Sequence, residues 1–367
     1  MSVLITGMAW NTALGADTDG VWRALLAGQS GVAPVASAYP LRNDRAAALP
    51  GLPADLDPVR RQFEAGAKPL RAALAEAGLE PADPRLRLVL GTSYGAHLDV
   101  PPDGLDLWGA TLASELGLAR RPLMVSTACS AGSDAIAVGA ALIDAGEEEI
   151  CVVGGVDVLT PAKRLGHSAL GTMSPTALRS FDAAHDGTIL GEGAAFLVLE
   201  KDLDRRVRPL GRLIGVGAAN DAAGPTAPDP SGDTVVRAVR AALAAAGRNT
   251  GDVAVINAHG SGTPVNDDIE SLAFTTAFGE AAAPVVFATK GAFGHTLGAT
   301  GALEAVAVLL ALRDGRVPPI AGLETVMPGF PLPLPTGAPL PITAGLGLSV
   351  TIGFGGFTTC LALEAAA

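Results

Sequence analysis

The chain has 367 residues, of which 49% are hydrophobic and 17% are charged, so it has enough apolar material for a large buried core. Its net charge of −12 argues against nucleic-acid binding, which needs a basic face. The three cysteines lie far apart and predict no disulfide framework. No apolar run reaches membrane-spanning length and the N-terminus does not look like a signal peptide, so we expect a cytoplasmic protein with no membrane span.

Strands and helices alternate along the first half. "SVLITGMAW" predicts a strand, and "TDGVWRALLAGQSGV" predicts a helix with one apolar face that ends at Gly28. "KPLRAALAEAGL" predicts a helix and "RLRLVLGTSYG" a buried strand. A strand, a helix and a strand follow, at "LMVSTAC", "SAGSDAIAVGAALIDAG" and "EEEICVVGGVDVLT". Continuous apolar strands in this order favour parallel pairing beneath helices.

The second half repeats this alternation. Its predicted strands and helices begin with "GRLIGVGAAN", "GDTVVRAVRAALAAAG", "VAVINAHGSG" and "DDIESLAFTTAFG". A strand, a glycine-rich loop and a long helix follow in "PVVFATKGAFGHTLGATGALEAVAVLLAL", and "GLSVTIGFGGFTTCLALE" predicts a closing hairpin. The matching alternation predicts an internally duplicated α/β fold, with halves at 1–210 and 211–367.

Cys129 stands where a predicted strand ends and a predicted helix begins. Free N–H groups and the helix dipole favour an anion at that point, so the position suits a thiolate. Ser130, Ala131 and Gly132 follow and are small, which lets a bulky substrate group approach closely. A buried structural cysteine would have the same pattern, and this stretch alone does not separate the two interpretations.

Two histidines lie in glycine-rich loops that follow predicted strands. His259 lies in "NAHGSGTP", and His295 lies in "TKGAFGHTLGATGA" five residues after Lys290. Ligand-binding loops of α/β folds gather at the carboxyl ends of strands, so both histidines are candidates for a site. The remaining histidines have less organised surroundings, and we expect structural roles for them: His97, His167 and His185.

One cysteine and two histidines suit either a metal site or nucleophilic catalysis. Zinc sites usually show closely spaced ligand pairs, whereas each candidate here stands alone on its own loop. A thiolate with imidazoles that converge from separate loops fits nucleophilic catalysis better.

Several motifs occur in a characteristic order along nearly the whole chain: "VSTACSAG", "RSFDAAHDGTILGEGAAFLVLE", "NAHGSGTPVND", "TKGAFGHTLGATGALEA" and "IGFGGF". Together they resemble the elongating β-ketoacyl-[acyl carrier protein] synthases, the type II ketosynthases of the thiolase superfamily. The resemblance implies a thiolase-like five-layered αβαβα fold made of two duplicated halves. The N-terminal half would carry the nucleophilic cysteine and the C-terminal half the two histidines. It also implies a dimer, acyl carrier protein as partner, no organic cofactor and no catalytic metal.

The resemblance also assigns catalytic roles. Cys129 would accept an acyl chain from a pantetheine thioester, and a malonyl thioester would lose carbon dioxide and attack the acyl-enzyme. His259 and His295 would hold the malonyl thioester carbonyl and stabilise the enolate, while Lys290 would orient the histidine region. The N–H groups of Cys129 and Phe354 would form the oxyanion hole, and the Phe354 ring would gate the acyl pocket.

Other positions match the family in supporting roles. Ser261 and Thr263 align with hydroxyl residues that hydrogen-bond the pantetheine arm. Asn257, Glu270 and Glu304 align with positions that surround a structural monovalent cation in some members. For the two glutamates a surface or helix-capping role is equally open.

The pair of histidines implies the subclass. Initiating synthases of the superfamily use one histidine with an asparagine, and thiolases use a second cysteine, so a Cys-His-His set implies elongation by decarboxylative condensation. Two alternatives stay open: a length-setting or weakly catalytic partner subunit of a ketosynthase heterodimer, and a ketosynthase-like acyltransferase.

Two departures from the family pattern bear on the pathway. Ile352, Phe357 and Thr358 differ from the usual terminal motif, and residues 91 to 123 form a shorter segment than in housekeeping members. These departures favour a specialised polyketide or polyene pathway over housekeeping fatty acid synthesis.

Overall fold

The computed structural model describes residues 2–93, 98–99, 106–201, 207–279, 283–343 and 345–366. His97 and part of the short segment from 91 to 123 lie outside these ranges. The strands are β1 (Val3–Asn11), β2 (Ala33–Pro34), β3 (Arg45–Ala46), β4 (Leu86–Gly91), β5 (Leu123–Val125), β6 (Ile150–Asp157), β7 (Gly193–Glu200), β8 (Gly211–Asn220), β9 (Val253–Asn257), β10 (Val285–Phe287), β11 (Arg316–Val317), β12 (Leu340–Pro341), β13 (Leu346–Gly353) and β14 (Phe357–Ala365). The α-helices are α1 (Thr18–Leu26), α2 (Pro58–Glu76), α3 (Leu107–Leu116), α4 (Ala131–Asp144), α5 (Pro161–Ala169), α6 (Asp233–Ala246), α7 (Pro264–Phe278), α8 (Lys290–Phe293) and α9 (Thr300–Asp314).

Ten strands form one sheet in the order β10-β9-β13-β14-β8-β1-β7-β6-β4-β5. Its centre is the short pairing of β1 with β8, which starts at Val3 and ends at Ile5. On each side of that pairing, two antiparallel pairs are followed by two parallel pairs towards the edge. The two sides therefore have the same strand order and direction, which confirms the predicted duplication.

The helices repeat in the same way. In the first half α2, α3 and α4 connect the strands, and α6, α7 and α9 hold the equivalent places in the second half. Helices α4 and α9 pack against each other between the two sides of the sheet, while α2 with α3 and α6 with α7 lie on the outer faces. The layers confirm the predicted αβαβα fold. The predicted boundary at residue 210 falls between β7 and β8 and stays a prediction.

Small residues bring the two central helices close together. Helix α9 is buried on every side from Thr300 to Ala311, as expected for a helix that is apolar all round. A Cβ atom on Gly132 would lie 2.9 Å from the carbonyl oxygen of Gly298, and one on Gly301 would overlap the side chain of Ser133. The N-terminal ends of α4 and α9 therefore meet, and the segments that precede them lie side by side.

Strands β13 and β14 form the predicted closing hairpin. Gly355 and Gly356 in its turn have φ angles of +84° and +81°, a left-handed conformation that glycine adopts without strain. Among the described residues, no helix is both long enough and apolar enough to cross a membrane.

Candidate active site

Residues from separate segments line one cavity of about 300 Å³. The structure brings Cys129, His259 and His295 together there, as the sequence predicts. Ser261, Thr263 and Phe354 also line the cavity. The hydroxyl oxygens of Ser261 and Thr263 lie 2.8 Å apart, so they form one polar patch on its wall.

Cys129 lies in a tight 3-10 turn, Ala128–Ser130, immediately before α4. Ala128 has a φ angle of +53°, a left-handed conformation that is strained for alanine and is typical of functional turns. Asp134, one turn into α4, accepts hydrogen bonds that brace this region. The donors are the hydroxyl groups of Thr127, Ser130 and Thr359. Asp134 was not predictable from the sequence, because its partner Thr359 lies far away in the chain.

The acidity of the Cys129 thiol corrects the expectation drawn from the helix start. The side chain is only 4% exposed, and this burial raises its pKa from 9.0 to about 11. The charge of Lys290 and the N–H of Phe354, which hydrogen-bonds the sulfur, lower the pKa but do not offset burial. The prediction that this position favours a thiolate is therefore wrong for the free protein, which holds the protonated thiol near neutral pH.

The two imidazole rings lie edge to face, with centroids 5.2 Å apart. Nδ1 of His295 accepts a hydrogen bond from the N–H of Leu297 at 3.3 Å, so its ring proton lies on Nε2. Burial and the nearby charge of Lys290 lower the pKa of both histidines well below 6.5. Both rings are therefore neutral near pH 7, and each has one N–H to donate.

The backbone of His259 is held from two sides. The Glu270 carboxylate accepts hydrogen bonds from the N–H groups of His259 and Gly260, each at 2.7 Å. Lys290 donates from Nζ to the carbonyl oxygen of His259. Gly260 has a φ angle of +46°, and a Cβ atom there would lie 2.6 Å from that of Ala288, so glycine is required.

Lys290 and Glu304 form a buried ion pair at 2.6 Å, and each side chain is 1% exposed. Burial raises the pKa of Glu304 to about 7 and that of Glu270 to about 8. Asn257 is fully buried, and among the described residues neither polar atom of its side chain has a hydrogen-bond partner. Lys290 therefore links the His259 backbone to a buried carboxylate beside the cavity.

His167 also lines the cavity, which differs from the structural role expected for it. Its ring stacks on that of Phe354, with centroids 5.8 Å apart and planes 22° from parallel. The sequence carried a weak signal: Thr160 and Pro161 begin α5 directly after the buried strand β6, which is a usual place for a ligand-binding segment. His185 lies 3.3 Å from Asp267, consistent with the structural role expected for it.

Comparisons with known proteins identify the family of the chain. Two family models match, "Beta-ketoacyl synthase, N-terminal domain" at residues 62–205 and "Beta-ketoacyl synthase, C-terminal domain" at residues 210–324. A curated relative, 3-oxoacyl-[acyl-carrier-protein] synthase 2 of Coxiella burnetii, is 31% identical over 88% of this chain and 88% of its own length.

Solved structures extend the match to the whole chain. The ishigamide ketosynthase/chain length factor is 28% identical, with a TM-score of 0.90 over 100% of this chain and 99% of that chain. A type II polyketide ketosynthase in complex with its acyl carrier protein and bound to a hexaketide has the same fold. It is 23% identical, with a TM-score of 0.91 over 100% and 99% of the two chains. The chain therefore belongs to the β-ketoacyl synthase family.

Proposed function

We propose that this protein is a β-ketoacyl-[acyl carrier protein] synthase that extends an acyl chain on Cys129 by decarboxylative condensation with malonyl-[acyl carrier protein]. The observation that carries the proposal is the convergence of one thiol and two neutral imidazoles in a single buried cavity. Chain-length-setting subunits do not need a complete Cys-His-His set, and simple acyl transfer needs only one base, so neither alternative is favoured.

In the first step, the Cys129 sulfur attacks the thioester carbonyl of an acyl-pantetheine. A carbon–sulfur bond forms to Cys129, the bond to the pantetheine sulfur breaks, and the thiol proton passes to the leaving thiolate. The developing oxyanion would accept hydrogen bonds from the N–H groups of Cys129 and Phe354. The hydrogen bond from Phe354 to the sulfur supports this assignment, because it places that N–H beside the reacting atom. Ser261 and Thr263 would hold the pantetheine arm.

In the second step, the carbonyl oxygen of the malonyl thioester accepts hydrogen bonds from His259 and from Nε2–H of His295. Carbon dioxide leaves, and the electron pair of the broken carbon–carbon bond enters the enolate. The enolate attacks the acyl carbon, the bond to Cys129 breaks, and the cysteine leaves as a thiolate that takes up a proton from solvent. Lys290 acts through His259, because it fixes the carbonyl group of that residue.

Neither step requires an organic cofactor, and that absence stays a prediction. The structural cation expected near Asn257, Glu270 and Glu304 also stays a prediction. The unpaired side-chain oxygen of Asn257 supports it, but the glutamates already have partners. Glu270 accepts from backbone N–H groups and from Asn266, and Glu304 accepts from Lys290.

Acyl carrier protein would deliver both substrates, and the related ketosynthase in complex with its acyl carrier protein supports this partner. We also propose a dimer, either of identical subunits or of two ketosynthase-like subunits. Strand β5 supports it, since β5 is an edge strand of the sheet and Leu123 on it is 39% exposed. A specialised polyketide or polyene pathway and a cytoplasmic location stay predictions. Of the residues that suggested the pathway, Ile352 lines the cavity.

Intact-protein mass spectrometry tests the proposal. Wild-type protein should gain one acyl group from acyl-[acyl carrier protein], and malonyl-[acyl carrier protein] should then discharge it as a β-ketoacyl product two carbons longer. Cys129→Ala should gain no adduct. His295→Ala should gain the adduct but fail to discharge it, because acyl transfer does not use the enolate donors. A wild-type adduct that malonyl cannot discharge would contradict condensation, and no adduct would contradict the whole proposal.

A further inference from the structure

One wall of the cavity, beside Phe354, has polar side chains that the two steps do not use. This polar wall consists of His167, Thr172 and Thr188, all of which line the cavity. The Phe354 ring stacks on His167, and the N–H of Phe354 hydrogen-bonds the Cys129 sulfur. Because Phe354 contacts both residues, and Cys129 lines the same cavity as the polar wall, a chain held on Cys129 would pass close to the polar wall.

Thr172 favours one tautomer of His167. Its hydroxyl oxygen lies 3.2 Å from the carbonyl oxygen of His167, which can only accept, and 3.0 Å from Nδ1 of the ring. Both contacts are hydrogen bonds only when the hydroxyl donates to the carbonyl and accepts the Nδ1 proton. In that tautomer Nε2 has a lone pair, and it has no hydrogen-bond partner among the described residues. Burial and the charge of Lys163 lower the pKa of His167 to about 4, so the ring stays neutral near pH 7.

Thr188 lies next to this pair. Its N–H donates to the carbonyl oxygen of Thr172 at 2.8 Å, which holds the two threonines side by side. Thr188 is 2% exposed, and its hydroxyl oxygen has no hydrogen-bond partner among the described residues. A buried polar group without a partner is unfavourable, so its place in a cavity wall points to a ligand that completes the bonding.

We propose that the polar wall is a specificity site that binds a hydroxyl group carried on the acyl chain. The hydroxyl would donate to Nε2 of His167 and accept from the hydroxyl of Thr188, so both unpaired groups would gain a partner. A plain hydrocarbon chain satisfies neither. This inference rests on the proposed function, because it requires an acyl chain on Cys129. The pantetheine arm also carries hydrogen-bond donors, but the patch of Ser261 and Thr263 serves that arm, and the experiment separates the two sources.

The test compares octanoyl pantetheine with a series of hydroxyoctanoyl pantetheines that differ in hydroxyl position. The rate of Cys129 acylation is followed by intact-protein mass spectrometry. Since the pantetheine arm is identical in all probes, the ratio of rates reports on the acyl chain alone. Wild type should prefer at least one hydroxyl position by about ten-fold, the factor expected for one net hydrogen bond of about 1.4 kcal/mol.

Three variants locate the effect. His167→Phe keeps a flat ring against Phe354 but removes the ring nitrogens, so the preference for a hydroxylated probe over octanoyl should disappear. Thr188→Val removes the hydroxyl group of Thr188 with little change in shape and should reduce the preference for a hydroxylated probe. His167→Gln supplies an oxygen acceptor and should restore part of it. Val265→Ala, at an exposed apolar position of the same cavity, is the matched control and should leave the ratio unchanged.

The outcomes separate this inference from the proposed function. The inference that the polar wall binds a hydroxyl group would be overturned by equal rates for all probes in wild type, or by a preference that survives in His167→Phe. Either result would leave the proposed condensation intact. A fall in the rates of all probes by one common factor in His167→Phe and Thr188→Val would assign the polar wall to the pantetheine arm and also overturn the inference. Failure of every probe to acylate wild-type Cys129 would overturn both.

Discussion

Replacing Lys290 with methionine tests the electrostatic arrangement of the site. The ammonium group of Lys290 bonds the Glu304 carboxylate at 2.6 Å, and both side chains are almost fully buried. Methionine keeps a similar length and removes the charge, which leaves a buried carboxylate without its cation. Breaking a buried ion pair by removing one partner destabilises a protein by about 3–5 kcal/mol. We therefore expect the free energy of unfolding to fall by about 3–5 kcal/mol at alkaline pH.

This loss should shrink as the pH falls, because Glu304 can be neutralised by a proton. Burial raises its pKa from 4.5 to about 7 even with Lys290 present, and the lysine charge opposes that shift. Without Lys290 the pKa rises further, so the folded variant binds a proton in a pH range where wild-type Glu304 is ionised. A carboxyl group with a raised pKa in the folded state favours folding at low pH. As the pH falls from the pKa of Glu304 in the variant to about 7, each pH unit should restore about 1.4 kcal/mol of the lost free energy of unfolding.

Urea unfolding of four proteins at about pH 6 and about pH 9 measures the effect. They are wild type, Lys290→Met, Glu304→Gln and the double variant. The difference between wild type and Lys290→Met should be larger at the higher pH. The double variant has no buried carboxylate at that position and should be more stable than Lys290→Met at high pH. A loss independent of pH, or a double variant no more stable than Lys290→Met, would refute the reasoning.

Three further outcomes are expected. Iodoacetamide should alkylate Cys129, which lines the cavity, faster as the pH rises towards its pKa of about 11, while the fully buried Cys151 stays unmodified. A rate that levels off near neutral pH would contradict this. Gly260→Ala should lower the free energy of unfolding by about 1–3 kcal/mol, because the positive φ angle is strained for alanine and the new Cβ would overlap the Cβ of Ala288. An unchanged urea midpoint would count against that argument. Asp134→Ala should slow acylation and lower the free energy of unfolding by about 1–3 kcal/mol, because three hydroxyl groups lose their acceptor. Asp134→Asn keeps an acceptor, so it should lose less in the same assays.

The duplicated fold was predictable because its signals are local. Each strand and helix has its own apolar pattern, and the order of elements in one half repeats in the other. The predicted meeting of Cys129 with His259 and His295 follows from that order, since each residue comes after a strand of the sheet. The close approach of α4 and α9 is not predictable from any local pattern. It depends on the contacts of Gly132 and Gly301 with atoms from distant segments.

The chemical state of the site was less predictable, since it depends on burial. The position of Cys129 before a helix favours an anion, but its removal from water has the larger effect and raises the pKa of the thiol. His167 was not predicted to line the cavity for a similar reason. Its position in the cavity wall depends on contacts with Thr172 in the following turn and with Phe354, almost two hundred residues away in the chain.

Burial and the charge of Lys290 together explain why the two histidines would act as hydrogen-bond donors rather than as acids. Burial has the larger effect on the pKa of His259 and His295, and the nearby cation adds to it, so both imidazoles stay neutral near pH 7. An imidazolium would give its proton readily to the enolate left when carbon dioxide departs, and decarboxylation would end without a new carbon–carbon bond. A neutral imidazole holds its N–H proton far more tightly while still stabilising the enolate oxygen. The same charge also lowers the pKa of Cys129, so a single lysine favours both the nucleophile of the first step and the enolate lifetime of the second.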